Sequence, residues 1–318
     1  MRKVSKFPMY PWLEHKKQQL CRRIVQGKLH HALLLQGHDG IGKTEFAQDL
    51  ARFLLCANKQ KTAACGQCQA CKLNRAGTHP DFHQIESDKQ IGVDQIREAI
   101  KKLLGSSQLC GAKVLVIYTA HTMTESSANA LLKTLEEPTD NTFLLLITSK
   151  PERLLPTILS RCERVLLPSS DIATTSEWLK SKGYTQLDED LIRLYGASPL
   201  NLLNELQAEN TFSYQQFLAG VEGLDNRQSS VAELSSSWQE HSERVIKWLQ
   251  YWLADQIKQS PAKVEQLWAL HDACARATEA LRNPGLNKSL LLAHLLQALV
   301  AKKAPKTVSK TVLKTSFR

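Results

Sequence analysis

The chain contains a glycine-rich segment whose residues could bind phosphate. Residues 37–44 read Gly-His-Asp-Gly-Ile-Gly-Lys-Thr and match the pattern G-x-x-x-x-G-K-[ST]. Its glycines would let backbone N–H groups close around a phosphate chain, while Lys43 reaches the β- and γ-phosphates and the Thr44 hydroxyl binds Mg²⁺. The glycines of this phosphate loop are Gly37, Gly40 and Gly42. Two alternatives stay open: a pocket that holds ATP or ADP as a structural ligand, and a vestige that stays empty.

ATP hydrolysis requires carboxylates that this sequence lacks at the expected place. In a P-loop ATPase the next buried strand ends in an acid that holds Mg²⁺, often beside a second acid that activates water. Here the apolar run 114–117 is followed by Tyr118 and Thr119. The nearest acid beyond them, Glu125, is expected to cap the following helix. The sequence therefore predicts a phosphate cradle without unaided hydrolysis.

Four of the eight cysteines are clustered with the spacing Cys-x8-Cys-x2-Cys-x2-Cys. They are Cys56, Cys65, Cys68 and Cys71. Four thiolates have the number and softness that a closed tetrahedral zinc site needs. Since the chain shows no export signal, the cluster indicates metal rather than disulfides. His79 and His83 are further candidate ligands, but four cysteines suffice, and we predict structural Zn²⁺ with no catalytic position.

A candidate catalytic arginine follows the strand that ends at Thr148. The segment 151–162 closes with Ser160-Arg161-Cys162. At the end of an α/β region Arg161 could point out of its own domain, where a guanidinium can stabilise the charge that builds on a neighbour's γ-phosphate. The residue type alone favours the plainer interpretation of a solvated surface arginine.

Alternating strands and helices must position these groups. Strand patterns cover residues 31–36, 113–118, 143–148 and 165–167, and helical patterns cover 43–55, 93–104 and 126–136. This alternation predicts a parallel sheet with helices on both faces. After Pro168 the strand signal disappears, and short helices lead into a larger all-α region from about Thr211. Core packing is the favoured role of its tryptophans, which are Trp238, Trp248, Trp252 and Trp268.

The composition is that of a soluble globular protein. The 318 residues are 42% apolar and 23% charged, with neither a membrane-length apolar run nor a secretory signal, so we expect a cytoplasmic location. The net charge of +10 divides into +3 before Pro8, +6 in residues 301–318 and +1 in the body between them. The overall charge is therefore no evidence for a DNA-binding groove in the folded body.

Taken together, several segments resemble the clamp-loader branch of the AAA+ proteins. Besides the cysteine spacing, they are Tyr10-Pro-Trp-Leu13, His30-His-Ala-Leu-Leu34, Gly77-Thr-His-Pro-Asp81, Gly92-Val-Asp94, Ser127-Ala-Asn-Ala-Leu-Leu-Lys-Thr-Leu-Glu-Glu-Pro138 and Ser160-Arg-Cys162. The likeness is dense from Tyr10 to about Leu206 and looser beyond, and it leaves Met1 and Met9 both open as the start.

For this α/β plus all-α chain the resemblance implies three domains. These are an AAA+ P-loop-type domain at 1–167 with a zinc module inserted at 56–71, a helical lid at 168–208 and a helical collar for oligomerisation at 209–300. The lysine-rich composition of residues 301–318 predicts a basic flexible tail, with contact to phosphate or acidic surfaces as the alternative.

The resemblance also implies roles and partners. Arg161 would be an arginine finger acting in trans on the ATP site of an adjacent γ/τ subunit, and Thr148 matches the sensor-1 position. Leu200 stands where the hydrolysing relatives carry a lid arginine. The implied function is that of a non-hydrolysing subunit of the bacterial DNA polymerase III clamp loader, with γ/τ and δ subunits as partners and the sliding clamp and primed DNA reached through the complex, in a nucleoid-associated replisome. An autonomous ATPase and a zinc-dependent nucleic-acid-binding protein are the alternatives.

Overall fold

The computed structural model describes residues 10–87, 89–109, 111–185, 189–195, 198–207, 212–259, 264–281, 283 and 285–303. The chain forms two compact units, Met1–Gln207 and Ala208–Arg318. The predicted lid thus lies in the same unit as the P-loop-type domain, and the division at residue 168 stays a prediction. Basic residues 2–6 and most of the predicted basic tail lie outside the described residues.

The first unit is built on a five-stranded sheet with the order β2-β3-β4-β1-β5, in which all the neighbouring strands run parallel. The strands are β1 (Ala32–Gln36), β2 (Phe82–Ile85), β3 (Lys113–Ile117), β4 (Thr142–Thr148) and β5 (Glu163–Leu166). Residues 33–35, 114–117 and 144–146 of the three central strands are 0% exposed. Continuous burial of this kind requires cover on both faces, and it explains why these strands read as unbroken apolar runs.

The edge strand β2 was not predicted from the sequence. Its residues Phe-His-Gln-Ile alternate in character, and only Ile85 is buried. A strand at the sheet edge buries less of its surface than a central strand does. Strand β2 therefore lacks the continuous apolar run that identifies the other strands in the sequence. Its position matters because the residues that follow it reach the phosphate loop.

Nine helices are described in the first unit. They are α1 (Pro11–Val25), α2 (Lys43–Leu55), α3 (Gln69–Ala76), α4 (Val93–Leu104), α5 (Glu125–Glu136), α6 (Pro156–Leu159), α7 (Ile172–Ser181), α8 (Glu189–Tyr195) and α9 (Pro199–Gln207). Helices α2 and α4 have the predicted bounds, whereas α1 and α3 were not predicted. The expectation that Glu125 caps α5 is wrong, because the Thr124 hydroxyl accepts the N–H of Ser127 and Glu125 is the first helical residue.

An aromatic cluster ties the start of the chain to α7. Tyr10 and Trp12 stack with ring centroids 5.2 Å apart, and Trp178 meets both rings edge-on. The Trp12 indole N–H donates to the carbonyl of Ile41 at 2.9 Å. Helix α1 thus holds the phosphate loop through a buried hydrogen bond, and this explains the Tyr10-Pro-Trp-Leu13 segment.

The second unit is all-α in its described residues. Its helices are α10 (Tyr214–Asp225), α11 (Val231–Ser237), α12 (Ser242–Gln259), α13 (Val264–Ala280) and α14 (Lys288–Lys303), so helical backbone continues past residue 300, where the tail was expected to begin. Trp238 and Trp248 are buried beside Phe217, as predicted for core tryptophans. Trp268 is 53% exposed and therefore does not fit that prediction.

Throughout the described residues, each helix is too short or too polar to cross a bilayer.

Candidate functional site

The phosphate loop joins the carboxyl end of β1 to the first turn of α2. Gly40 and Gly42 have φ values of +77° and +92°, in the left-handed region that favours glycine. Gly42 is the N-cap of α2, so the loop ends at a helix N-terminus whose free N–H groups and dipole attract anions. The predicted residues thus form the strand–loop–helix geometry that phosphate binding requires.

Lys43 is folded against its own loop. Its ammonium donates to the carbonyl oxygens of Gly37 at 2.9 Å and His38 at 2.7 Å, and lies 3.3 Å from an Asp39 carboxylate oxygen. Burial lowers the pKa of Lys43, and the Asp39 carboxylate opposes that shift. The cation is therefore already held at the loop, where an anion would compete with the two carbonyl groups.

The start of the lid closes over the phosphate loop. The Ser198 hydroxyl donates to the Asp39 carbonyl at 2.5 Å, and the Leu200 N–H donates to the Gly40 carbonyl at 2.9 Å. A Cβ atom at Gly40 would lie 2.6 Å from the Asn201 side chain. Gly40 is thus required both by its backbone conformation and by the close approach of α9.

A cavity of about 370 Å³ opens at this loop, a volume at the lower end of the range typical of small-ligand sites. It gathers Gly40, Gly42, Lys43, Thr44 and Thr148 of the predicted site residues. The aliphatic side chain of Leu200 also borders the cavity, so this lid position offers no cation to a phosphate.

The position of the first missing acid is filled by a phenol. Tyr118 follows β3, is 5% exposed and borders the cavity. Its hydroxyl accepts from the Gln48 amide at 2.9 Å and donates to Gln84 at 3.3 Å. Thr119, the next residue, brings an uncharged hydroxyl side chain to the same cavity. Neither group supplies the carboxylate on which hydrolysis depends.

Thr148 is buried at the cavity wall and has polar neighbours. Its hydroxyl oxygen accepts the N–H of Lys150 at 3.0 Å and lies 3.1 Å from Nδ1 of His121. Burial, reinforced by the nearby Lys150 charge, lowers the pKa of His121 and keeps its ring neutral at physiological pH. The Thr148 hydroxyl is thus paired with a histidine that the sequence reasoning did not select.

Glu86 was also missed. It follows β2 and borders the cavity beside Ser87. The carboxyl ends of parallel strands meet at one edge of a sheet, so recognising β2 would have placed Glu86 near the phosphate loop.

The four predicted zinc ligands converge. All the sulfur atoms of Cys56, Cys65, Cys68 and Cys71 lie within 4.8 Å of one another, with Cys56–Cys68 at 4.0 Å and Cys65–Cys71 at 3.9 Å. A tetrahedral site with Zn–S distances of about 2.3 Å places its sulfur atoms about 3.8 Å apart. The donor set and its spacing therefore fit Zn²⁺.

The four thiols differ in their electrostatic surroundings: backbone hydrogen bonds lower the pKa of Cys65 and Cys68, whereas burial raises the pKa of Cys56 and Cys71. Cys56 ends α2 and Cys68 is the N-cap of α3. Burial acts to raise the pKa of the Cys68 thiol, but backbone hydrogen bonds from Cys71 and Ala57 and the adjacent thiols outweigh it and lower the pKa to about 6. His79 accepts the N–H of Asp81 at its Nδ1, and the cluster contains cysteines alone. A closed four-cysteine site results, and it stands at the far end of the helix that begins at the phosphate loop.

Arg161 lies apart from the cavity. It sits in the turn between α6 and β5, and its side chain is 33% exposed. It is not among the described residues that border the phosphate-loop cavity, whereas the adjacent Cys162 is buried in the core. The backbone thus anchors this turn and presents a guanidinium at the surface.

The chain is similar to known subunits of DNA polymerase III. Residues 12–171 match the family model described as DNA polymerase III, delta subunit. The chain is 39% identical over 237 residues to DNA polymerase III subunit delta' of Pseudomonas aeruginosa, covering 72% of this chain and 71% of that protein. It is 34% identical to the Escherichia coli subunit delta', covering 90% of this chain and 94% of that protein. A DNA polymerase III gamma subunit-related protein of Thermotoga maritima aligns with a TM-score of 0.49 at 18% identity, covering 91% of this chain and 99% of that one.

The parallel sheet, the phosphate loop after β1 and the helical lid define a P-loop protein of the AAA+ type. Within that class, the chain belongs to the DNA polymerase III subunit delta' family.

Proposed function

We propose that this protein is a non-hydrolysing subunit of the DNA polymerase III clamp loader that donates Arg161 to the ATP site of a neighbouring γ/τ subunit. One observation carries the proposal: the guanidinium is presented at the surface, away from its own cavity, while Tyr118 and Thr119 stand where a hydrolysing site needs acids. Family membership supports a place in DNA replication and, with it, in the cytoplasm at the replisome.

The chemistry assigned to Arg161 is electrostatic. During phosphoryl transfer negative charge builds on the γ-phosphate oxygens, and a planar guanidinium can bind two of them at once. An arginine supplied in trans raises turnover at a nucleotide site by about 10³–10⁵-fold in characterised NTPases. A subunit with no hydrolysis of its own can therefore set the rate at its neighbour's site.

The subunit's own cavity is proposed to hold ATP or ADP without turning it over. The loop N–H groups and Lys43 would bind the phosphates, Thr44 would hold Mg²⁺, and the lid would cover the loop through Ser198 and Leu200. A bound nucleotide would supply negative charge to a loop that Lys43 otherwise holds against its own carbonyl groups. Its role would be structural, since a ligand that binds only the folded state stabilises that state.

The cysteine cluster is proposed to bind Zn²⁺ for structure. It fixes the loop after α2 and the start of α3, and a closed site of four thiolates leaves no position for substrate.

In the proposed assembly, the second unit would meet γ/τ and δ subunits in a collar, and contact with the sliding clamp and primed DNA would come through the complex.

The test is DNA-stimulated ATP turnover by the reconstituted clamp loader containing the Arg161→Ala subunit. The matched control is Arg164→Ala, which removes an equally charged, exposed side chain three residues away. We expect a severalfold loss of turnover with Arg161→Ala, intact assembly by gel filtration, and wild-type turnover with Arg164→Ala. Equal turnover by the two variants would contradict the proposal.

A further inference from the structure

The guanidinium of Arg161 is held by a carboxylate from another element. Its Nε donates to Oε1 of Glu136 at 2.6 Å, and its Nη2 contacts the same oxygen. Its Nη1 donates to the carbonyl of Thr157 at 3.1 Å and lies 3.3 Å from the Ser160 hydroxyl. All three nitrogen atoms thus have a partner, and the side chain is fixed from two directions.

Glu136 and Arg161 belong to two different segments of the chain. Glu136 is the last residue of α5, the helix that follows the Tyr118 strand, whereas Arg161 follows α6. Helices α5 and α6 pack against each other, with Leu131, Leu135 and Ile158 in one buried cluster. A rigid apolar contact therefore sets the distance between the carboxylate and the arginine.

This ion pair is poorly suited to stabilise the fold. The side chains of Arg161 and Glu136 are 33% and 48% exposed, and ion pairs in contact with solvent contribute little to the free energy of unfolding. Its clearer consequence is orientation, because a long flexible side chain loses its rotamer freedom when both edges of its head are bound. An arginine that is already oriented loses less entropy on entering a phosphate site.

We propose that Glu136 is a positioning residue for Arg161, which holds the guanidinium in the direction from which it enters the neighbour's ATP site. The inference rests on the proposed function of Arg161. Glu136 is exposed and is not among the described residues that border the cavity, so neither the core nor the cavity explains why the Ser127–Pro138 segment ends in acidic residues. The positioning role supplies an explanation.

Four variants test the proposal in the reconstituted clamp loader: Glu136→Gln, Glu137→Gln, Arg161→Ala and the double variant Arg161→Ala/Glu136→Gln. Glu137 is the matched control, because it is the exposed carboxylate next in sequence and makes no ion pair in the described part of the chain. The readouts are kcat and KM for DNA-stimulated ATP turnover, with the melting temperature of each free subunit.

We expect Glu136→Gln to lower kcat by about twofold, a smaller loss than that of Arg161→Ala, with little change in KM, because misplacing a catalytic group costs rate rather than binding. Glu137→Gln should behave as wild type, and the double variant should match Arg161→Ala alone, because Glu136 acts only through Arg161. All melting temperatures should stay close to wild type.

The proposed function and this inference fail in different ways. Unchanged kcat with Arg161→Ala would remove the arginine-finger function itself. A loss with Arg161→Ala but not with Glu136→Gln would leave the finger and overturn the positioning role. A higher kcat with Glu136→Gln, or additive losses in the double variant, would also overturn it.

Discussion

The phosphate-loop cavity and the Arg161 surface differ in the groups that each could offer to a nucleotide. The cavity has a buried lysine, left-handed glycines and a helix N-terminus, but a phenol and a hydroxyl where carboxylates are needed. The Arg161 surface has an oriented guanidinium, and Arg161 is not among the described residues that line the cavity. A chain with this division has the groups to bind phosphate in one place and the group to stabilise a transition state in another. On the proposed function, the two places serve different nucleotides.

The two regions also differ in how they are supported. The cavity is built on α2, whose first turn carries the phosphate loop and whose end carries Cys56. The Arg161 turn is anchored by Cys162 and by the contact of α5 with α6. Damage to α2 should therefore affect the cavity before it affects the arginine, and three variants sharpen that distinction.

The largest effect is expected for Cys68→Ser. Loss of one thiolate opens the site, and structural zinc sites contribute a large part of the stability of the segments that they close. We expect loss of bound zinc and a melting temperature lower by roughly 10 °C, the shift that several kcal/mol produces in a unit of this size. Zinc content by atomic emission and calorimetry measure both quantities.

Metal removal from the wild type provides the control for Cys68→Ser. Chelation should lower the melting temperature, and added Zn²⁺ should restore it in the wild type only. A variant that lacks zinc yet melts with the wild type would show that the cluster is not structural.

A smaller effect is expected for Gly42→Ala. The new Cβ would lie 2.2 Å from the Tyr10 ring at a φ of +92°, so both crowding and backbone strain oppose it. We expect a loss of about 3 kcal/mol in the free energy of unfolding by urea, together with weaker binding of a fluorescent ATP analogue.

The Gly77→Ala variant separates crowding from backbone strain, the two causes of the stability loss expected for Gly42→Ala. Gly77 also has a positive φ, +74°, but a Cβ there would meet no described atom within 4 Å. Its cost should be about 1 kcal/mol, from strain alone. Equal costs at the two positions would mean that Tyr10 does not constrain the phosphate loop.

The smallest effect is expected for Tyr118→Phe. The variant keeps the ring but removes the hydroxyl that Gln48 and Gln84 share, so about 1 kcal/mol of stability should be lost. Tyr184→Phe is the control, because the Tyr184 hydroxyl makes no hydrogen bond among the described residues. If both variants unfold at the same urea concentration, the Tyr118 network does not hold α2 against the sheet.

Much of this arrangement was predictable because it rests on local patterns. The bounds of α2 and α4 follow from apolar residues at helical spacing, the central strands from unbroken apolar runs, and the four-cysteine cluster from the spacing of its residues. Each of these signals lies within a few consecutive turns or strands, where sequence separation is small. The same locality accounts for the correct position of Lys43 at the start of a helix.

The missed features depend on contacts between distant residues. Strand β2 is half exposed and gives no apolar run, so Glu86 went unplaced. His121 reaches Thr148 only through the packing of the segment after β3 against β4. The Glu136–Arg161 pair spans 25 residues and two helices, and no periodic pattern marks it. Such pairs are set by the three-dimensional packing of elements, which a single sequence does not display.

The central claim is that Arg161 acts on another subunit's nucleotide, and pre-steady-state ATP hydrolysis tests it most directly. Reconstituted clamp loader with the wild-type or the Arg161→Ala subunit is first saturated with ATP, and hydrolysis is then triggered with primed DNA, so that chemistry is separated from nucleotide binding. The account predicts that the two complexes bind the same amount of ATP before the trigger. With Arg161→Ala the rapid burst of hydrolysis should have a smaller amplitude, reduced by the fraction that the one neighbouring site contributes. A burst of the same amplitude and rate with both subunits would contradict it.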